Sequence, residues 1–398
     1  MKKKGRSYLF LSKLIFTFMI IAVYCVGRSI PLYGIDMSMY EGELDAGMIL
    51  EQSVGGDIYK CSVLTLGISP YMISSILVQI INACRSSDSK AKTSAKKMNR
   101  LTLVIMLLLS VIMAILRLDE LKFYPQYINS LTMVTAVAEM VAGAFIILWL
   151  SVRNKYYGIG GQTVFIFINI LDGIIMTLRS ASRQEIMTPF IVSLIIALVM
   201  LFMENCEKRI PVQRISIHSI YADKNYQAIK FNPVGVMPIM FASAAFMLPK
   251  MVINVLCRDF PENATLALIN EDMTLDNALG ISVYICILFL LNIIFSYLLI
   301  NPKDMTEQFL KSGDSLAGIH PGDDTKKYLK RHIFQICLFS SFVMGGCVLI
   351  SLILQMRGIM SSTLAMLPTS FMILMGLWSN LYNESEAVIH TDSYRTFI

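Results

Sequence analysis

Apolar residues in this chain gather into ten long runs, at roughly 13–32, 63–83, 101–118, 131–152, 159–178, 187–204, 234–256, 279–300, 332–355 and 361–382. A helix that crosses a bilayer needs about 20 mostly apolar residues. The pattern therefore predicts an all-α polytopic membrane protein of ten transmembrane helices. The first run follows a basic head, as in a signal peptide. It is longer than a typical h-region and lacks a clean small-residue cleavage site, so it reads as a retained first helix.

Ten runs divide into five and five, with the break near Ser180 to Gln184. This gives an N-terminal half over residues 1–180 and a C-terminal half over residues 181–398. Because five is odd, the second half must lie inverted relative to the first. One motif repeats between the halves: Gly67-Ile68-Ser69-Pro70-Tyr71-Met72 in the second run returns as Gly235-Val236-Met237-Pro238-Ile239-Met240 in the seventh. Each copy opens a long apolar stretch and weakens its helix at the entrance, the glycine through backbone entropy and the proline through its missing donor. Paired interruptions at matching positions of two halves point to a substrate path between them.

Composition supports the membrane reading, with 55% hydrophobic and only 16% charged residues, and leaves no room for a large soluble domain. The basic residues fix the orientation, since short cytoplasmic loops retain lysine and arginine. They cluster in the N-terminal head, around Arg85 to Arg100, around Lys208 to Lys230 and around Lys303 to Arg331. Acids such as Asp36, Glu51, Asp57, Glu262 and Asp276 dominate the alternate loops, which places both termini in the cytoplasm. The net charge of +6 is thus a topology signal that also favours anionic membrane lipid or acidic partners, and no motif suggests nucleic acid.

The chemistry of most enzymes is missing. There is no phosphate-cradling glycine loop, no Gly-x-Ser-x-Gly elbow and no His-Glu-x-x-His run. The eight cysteines and four histidines lack metal-like spacing, so neither a metal site nor a cofactor is expected. Ionisable residues inside the runs are scarce, which argues against ion-coupled transport. Glu139 and Asp172 are the exceptions, and both read as lying near helix ends. Directional work would need a partner or the membrane potential, and the long loops at about 204–232 and 301–331 are the natural docking surfaces. The glycine-containing stretch from Gly47 to Lys60 reads either as an exposed loop or as a segment re-entering the protein.

Several motifs in order resemble the SecY family, the channel subunit of the bacterial protein-export translocon, almost from end to end. They are Arg28-Ser29-Ile30-Pro31-Leu32-Tyr33-Gly34-Ile35-Asp36, the two repeated motifs, Gly158-Ile159-Gly160, Arg209-Ile210-Pro211-Val212-Gln213, Asn301-Pro302-Lys303-Asp304 and Gly318-Ile319-His320-Pro321-Gly322. The resemblance implies an hourglass pore between the halves. Its waist would be a ring of Ile68, Met72, Phe167, Met240 and Ile373, more mixed than the mostly isoleucine ring of the family. A plug would occupy about 51–61 with Gly55 and Gly56. A lateral gate would lie between helices two and three and helices seven and eight, with Gln79 and Ser243 near its seam. The motor-binding loops would present Lys208, Arg209, His320, Pro321 and Gly322, with His320 standing where the family usually has arginine.

The short chain, the reduced loop before the seventh helix and the short tail are similar to the accessory SecY type of Gram-positive bacteria. That type implies an accessory SecA-type ATPase motor, small accessory Sec subunits in the membrane or cytosol, and secreted serine-rich glycoprotein adhesins as cargo. The alternatives are a general housekeeping SecY and an inverted-repeat small-solute transporter.

Overall fold

The computed structural model describes residues 2–35, 61–84, 94–118, 121, 123–124, 129–214, 226–259, 268–269, 272–275, 277–316 and 318–390. The expected plug, with Gly55 and Gly56, lies outside the described residues apart from Cys61. In the first half, α1 (Lys2–Arg28), α2 (Ser69–Cys84), α3 (Ala95–Leu118), α4 (Ser130–Tyr157) and α5 (Thr163–Ser180) follow the apolar runs. In the second half the runs become α6 (Arg183–Asn205), α7 (Met237–Asp259), α8 (Ala278–Leu299), α10 (Asp323–Met356) and α12 (Leu367–His390). Two shorter helices, α9 (Pro302–Ser312) and α11 (Ser362–Ala365), and three strands complete the described elements: β1 (Glu207–Arg214), β2 (Tyr226–Lys230) and β3 (Asp314–Leu316).

Neighbour order repeats between the halves. In the first, α1 packs on α4, α4 on α3 and α3 on α2; in the second, α6 packs on α10, α10 on α8 and α8 on α7. An odd number of spans per repeat makes the second copy run upside down, so the two halves are inverted around the space between them. They join along one side, where α12 lies against α5 and α1. On the opposite side they only touch, α2 against α8 and α3 against α7.

Eight helices among the described residues are long and apolar enough to cross a membrane by length and composition. The two long helices outside that group, α2 and α7, are those that open on the repeated Gly-Pro motif. The apolar pattern starts them at 63 and 234, but they begin at Ser69 and Met237. Gly67 (φ 59°) and Gly235 (φ 69°) adopt the left-handed conformation that breaks the helical path, and only glycine does so without steric cost. Pro70 and Pro238 then fall in the first turn, where a missing N–H leaves no hydrogen bond unmade. The motif thus stands at the entrance of a helix in each half, as its sequence position implies, and starts it a few residues further in than hydropathy does. The 16 residues of α2 rise only about 24 Å, less than the ~30 Å hydrocarbon core.

The turns ahead of α2 are seated on α4. A Cβ at Gly143 would lie 2.0 Å from the carbonyl oxygen of Val63 and 2.9 Å from its carbon, and backbone cannot swing aside as a flexible side chain can. Gly143→Ala is expected to cost about 1–3 kcal/mol through overpacking, read as a lower melting temperature in detergent.

The all-α class holds for the membrane part, and the loops after α6 and α8 add a sheet that hydropathy did not signal. Its order is β2-β1-β3, antiparallel throughout. β1 pairs with β2 from Glu207 to Pro211 and with β3 from Val212 to Arg214. Pro211, which has no N–H to donate, stands where β1 changes partner. The sheet's inner residues, Ile210, Val212, Ile229 and Leu316, pack on Leu329, Ile333, Ile336 and Cys337 of α10. The two loops are therefore one folded platform mounted on the ninth span.

Candidate functional site

The central core draws on both halves. Ile68 and Met72 at the start of α2, Met240 at the start of α7 and Ile373 on α12 are all buried in one apolar cluster. Phe167 of α5 is half-buried and packs against that cluster, with its ring 6.3 Å from Trp378 of α12. The five residues expected at the waist thus belong to, or pack against, the same apolar core. Methionine suits such a site because its unbranched, polarizable side chain fills irregular gaps.

The two expected gate residues sit in different surroundings. Gln79 is exposed on α2. Ser243 is buried, donates to the carbonyl oxygen of Ile239 and lies 3.3 Å from the Tyr284 hydroxyl of α8. Its partners belong to α7 and α8, so it ties together the two helices on one side of the seam. An apolar environment favours this pairing, since a hydroxyl buried without a partner is costly.

Sequence reasoning missed a polar ladder between α1 and α5. Tyr24 donates to Asn169 Oδ1 at 2.8 Å, and one turn further along Arg28 Nη1 pairs with Asp172 Oδ2 at 2.5 Å. The Arg28 guanidinium also lies over the Tyr24 ring, 5.5 Å from its centroid. The Arg28 side chain is 5% exposed and that of Asp172 38%. Asp172 sits at the middle of α5 rather than near an end, and opposite charges inside two apolar runs were the available signal. The pair lines a cavity of about 380 Å³ with Cys25, Ser29, Pro31, Cys61 and Ser62. Beside it, Leu32 N–H donates to Cys61 and Val63 N–H to Ile30, which fixes the chain that leads into α2. Glu139 has a local role, accepting the Tyr33 N–H at 3.0 Å.

On the sheet platform, Lys208 points inward, its Nζ 3.0 Å from His332 Nδ1. Arg209 faces solvent, donates to Glu207 Oε1 at 2.8 Å and stacks over Tyr226, 4.6 Å from the ring centroid. That carboxylate pushes the already basic guanidinium further up, so Arg209 keeps its charge at any physiological pH. His320 and Pro321 are exposed, and Gly322 (φ 111°) caps α10. The Thr325 hydroxyl donates to the His320 carbonyl oxygen at 2.9 Å and holds this turn. The structure places Lys208 and Arg209 on β1, and the His320 turn between β3 and α10, within the platform that β1 and β3 build together.

A family model for SecY matches residues 62–382, which is most of the chain. The chain belongs to the SecY family. Like other SecY-family members it is a multi-pass membrane protein and a channel subunit rather than an enzyme, which removes the small-solute transporter alternative. The accessory Sec system protein translocase subunit SecY2 of Streptococcus agalactiae serotype Ia is 28% identical over 388 residues, covering 95% of this chain and 93% of that protein. The subunit of the same description from Leuconostoc gelidum subsp. gasicomitatum is 25% identical over 407 residues, covering 97% and 96%. A solved protein-conducting channel superposes with a TM-score of 0.64 at 17% identity, over 96% of this chain and 94% of the other, which shows the shared fold.

Proposed function

We propose that this chain is the channel subunit of an accessory Sec system, passing a narrow set of polypeptides across a bacterial plasma membrane. The observation that carries the reading is likeness along nearly the whole chain to subunits of that description in streptococci and Leuconostoc. Both chain termini face the cytoplasm in this arrangement, as the basic loops require. The ring of Ile68, Met72, Phe167, Met240 and Ile373 forms the waist, and the segment at about 51–61 plugs it from outside. The halves part at the seam of α2 and α3 against α7 and α8, where their contact is lightest. An accessory SecA-type ATPase docks on the platform through Arg209, with Lys208 behind it, and through the turn of His320, Pro321 and Gly322. Small accessory Sec subunits and membrane lipid surround the bundle, and serine-rich glycoprotein adhesins are the cargo.

Deleting the gene and comparing all secreted and wall-attached proteins with the parent strain tests this reading. Loss of one large glycosylated adhesin from a viable strain is the expected result. A lethal, general export defect would instead make the chain a housekeeping SecY.

A further inference from the structure

We propose that Ser340 and Ser341 of α10 form a positioning hub that holds both helices on the C-terminal side of the gate in register with the cytoplasmic platform. The inference rests on the gate reading above and names residues that reading does not use. Adjacent residues on a helix point about 100° apart, so a serine pair can face two neighbours at once. Ser341 donates to the Cys337 carbonyl oxygen at 2.8 Å, and its own oxygen accepts from Asn292 Nδ2 of α8, also at 2.8 Å. Ser340 donates to Asn232 Oδ1 at 3.3 Å. Asn232 lies in the short link between β2 and α7, and its Nδ2 donates to Glu204 Oε1 at the end of α6, at 3.1 Å. One turn of α10 therefore grips α8 directly, and grips the start of α7 through Asn232.

Burial makes these bonds matter. Asn292, Ser340 and Ser341 are 0% exposed, Asn232 1% and Glu204 5%, so none of them can exchange its partner for water. Asn292 Oδ1 has no hydrogen-bond partner among the described residues, which leaves the bond to Ser341 as that amide's anchor. The hub also lies next to the platform. The sheet packs on Leu329, Ile333, Ile336 and Cys337, and Ser340 and Ser341 follow on the same unbroken helix. A push on the sheet thus reaches α8 and the Gly235 turn ahead of α7 through a single rigid element.

The test is the ion conductance of the purified full-length chain in vesicles, with melting temperature in detergent measured alongside. Ser340→Ala and Ser341→Ala are each expected to raise resting conductance about threefold, the value of one hydrogen bond inside a membrane protein, and about tenfold together. Asn292→Leu should match Ser341→Ala and add nothing to it. Ser340→Thr and Ser341→Thr keep the hydroxyl and should restore the parent value. A role confined to folding would lower the melting temperature in all variants while conductance stayed flat, and that result overturns the hub. Threonine variants as leaky as the alanines overturn it as well. Met240→Asp serves as the reference: if it leaks and the serine variants do not, the hub alone fails, whereas silence from both defeats the pore reading and the hub with it.

Discussion

Aspartate at Met240 is expected to raise resting ion conductance by about tenfold or more, because a carboxylate in an apolar constriction draws water where methionine excludes it. Met240 is 2% exposed, within a cluster that includes Ile68, Met72 and Ile373. The cluster offers a carboxylate only apolar neighbours, and hydrating the waist is its cheapest relief. Met72→Asp, one turn into α2, should act in the same direction. Ion flux through vesicles holding the purified chain measures the effect. Met240→Leu supplies the control, since a volume-conserving swap costs less than about 1.5 kcal/mol and keeps the seal. Unchanged flux in both aspartate variants would remove these residues from the waist.

Asp172→Ala is expected to be among the most destabilising single changes in the first half. It deprives the Arg28 guanidinium, whose side chain is 5% exposed, of the carboxylate that Nη1 contacts. Removing one partner of a buried ion pair typically costs about 3–5 kcal/mol, and the 38% exposure of the Asp172 side chain sets the expected loss at about 2–3 kcal/mol. The melting temperature in detergent should fall by several degrees. Arg28→Leu combined with Asp172→Leu should recover most of that loss, since an apolar pair of similar volume can replace a buried ion pair. A double variant no more stable than Asp172→Ala would show that the Tyr24–Asn169 bond and the cavity geometry depend on the charges themselves.

Why the entrances of α2 and α7 were legible and the ladder was not comes down to chemistry that leaves different marks. The repeated Gly-Pro motif points to α2 and α7 because glycine in the left-handed region and proline in a first turn are local requirements, visible in six residues. What it did not convey was the exact residue at which each helix starts. The runs at 63 and 234 remain apolar upstream of the glycines, and hydropathy cannot register a break made by φ alone. Asp172 carried its charge openly in the sequence. Its role depends on α1 lying alongside, which is a long-range contact between residues 144 apart in the chain.

Ser243 and Gln79 illustrate the same limit. Both were expected near the seam, and the hydroxyl of Ser243 is engaged with Ile239 and Tyr284 on one side of it. A small polar residue in an apolar helix announces that a partner exists and gives no direction to it. The platform is the largest addition. Val212, Gln213 and Arg214 pair with residues a hundred positions away, and three-residue β3 is too short to produce a readable alternation.

The sequence by itself determined the membrane class, the ten long helices and the inverted halves. Each of these follows from transfer free energy or from backbone preferences that act within a few residues. Only the tertiary structure decided where α2 and α7 begin, which polar side chains pair across helices and how two separate loops become one sheet on α10. Those outcomes depend on which surfaces meet, and in a bundle where nearly every helix is apolar on most sides, hydrophobicity alone does not choose the neighbours.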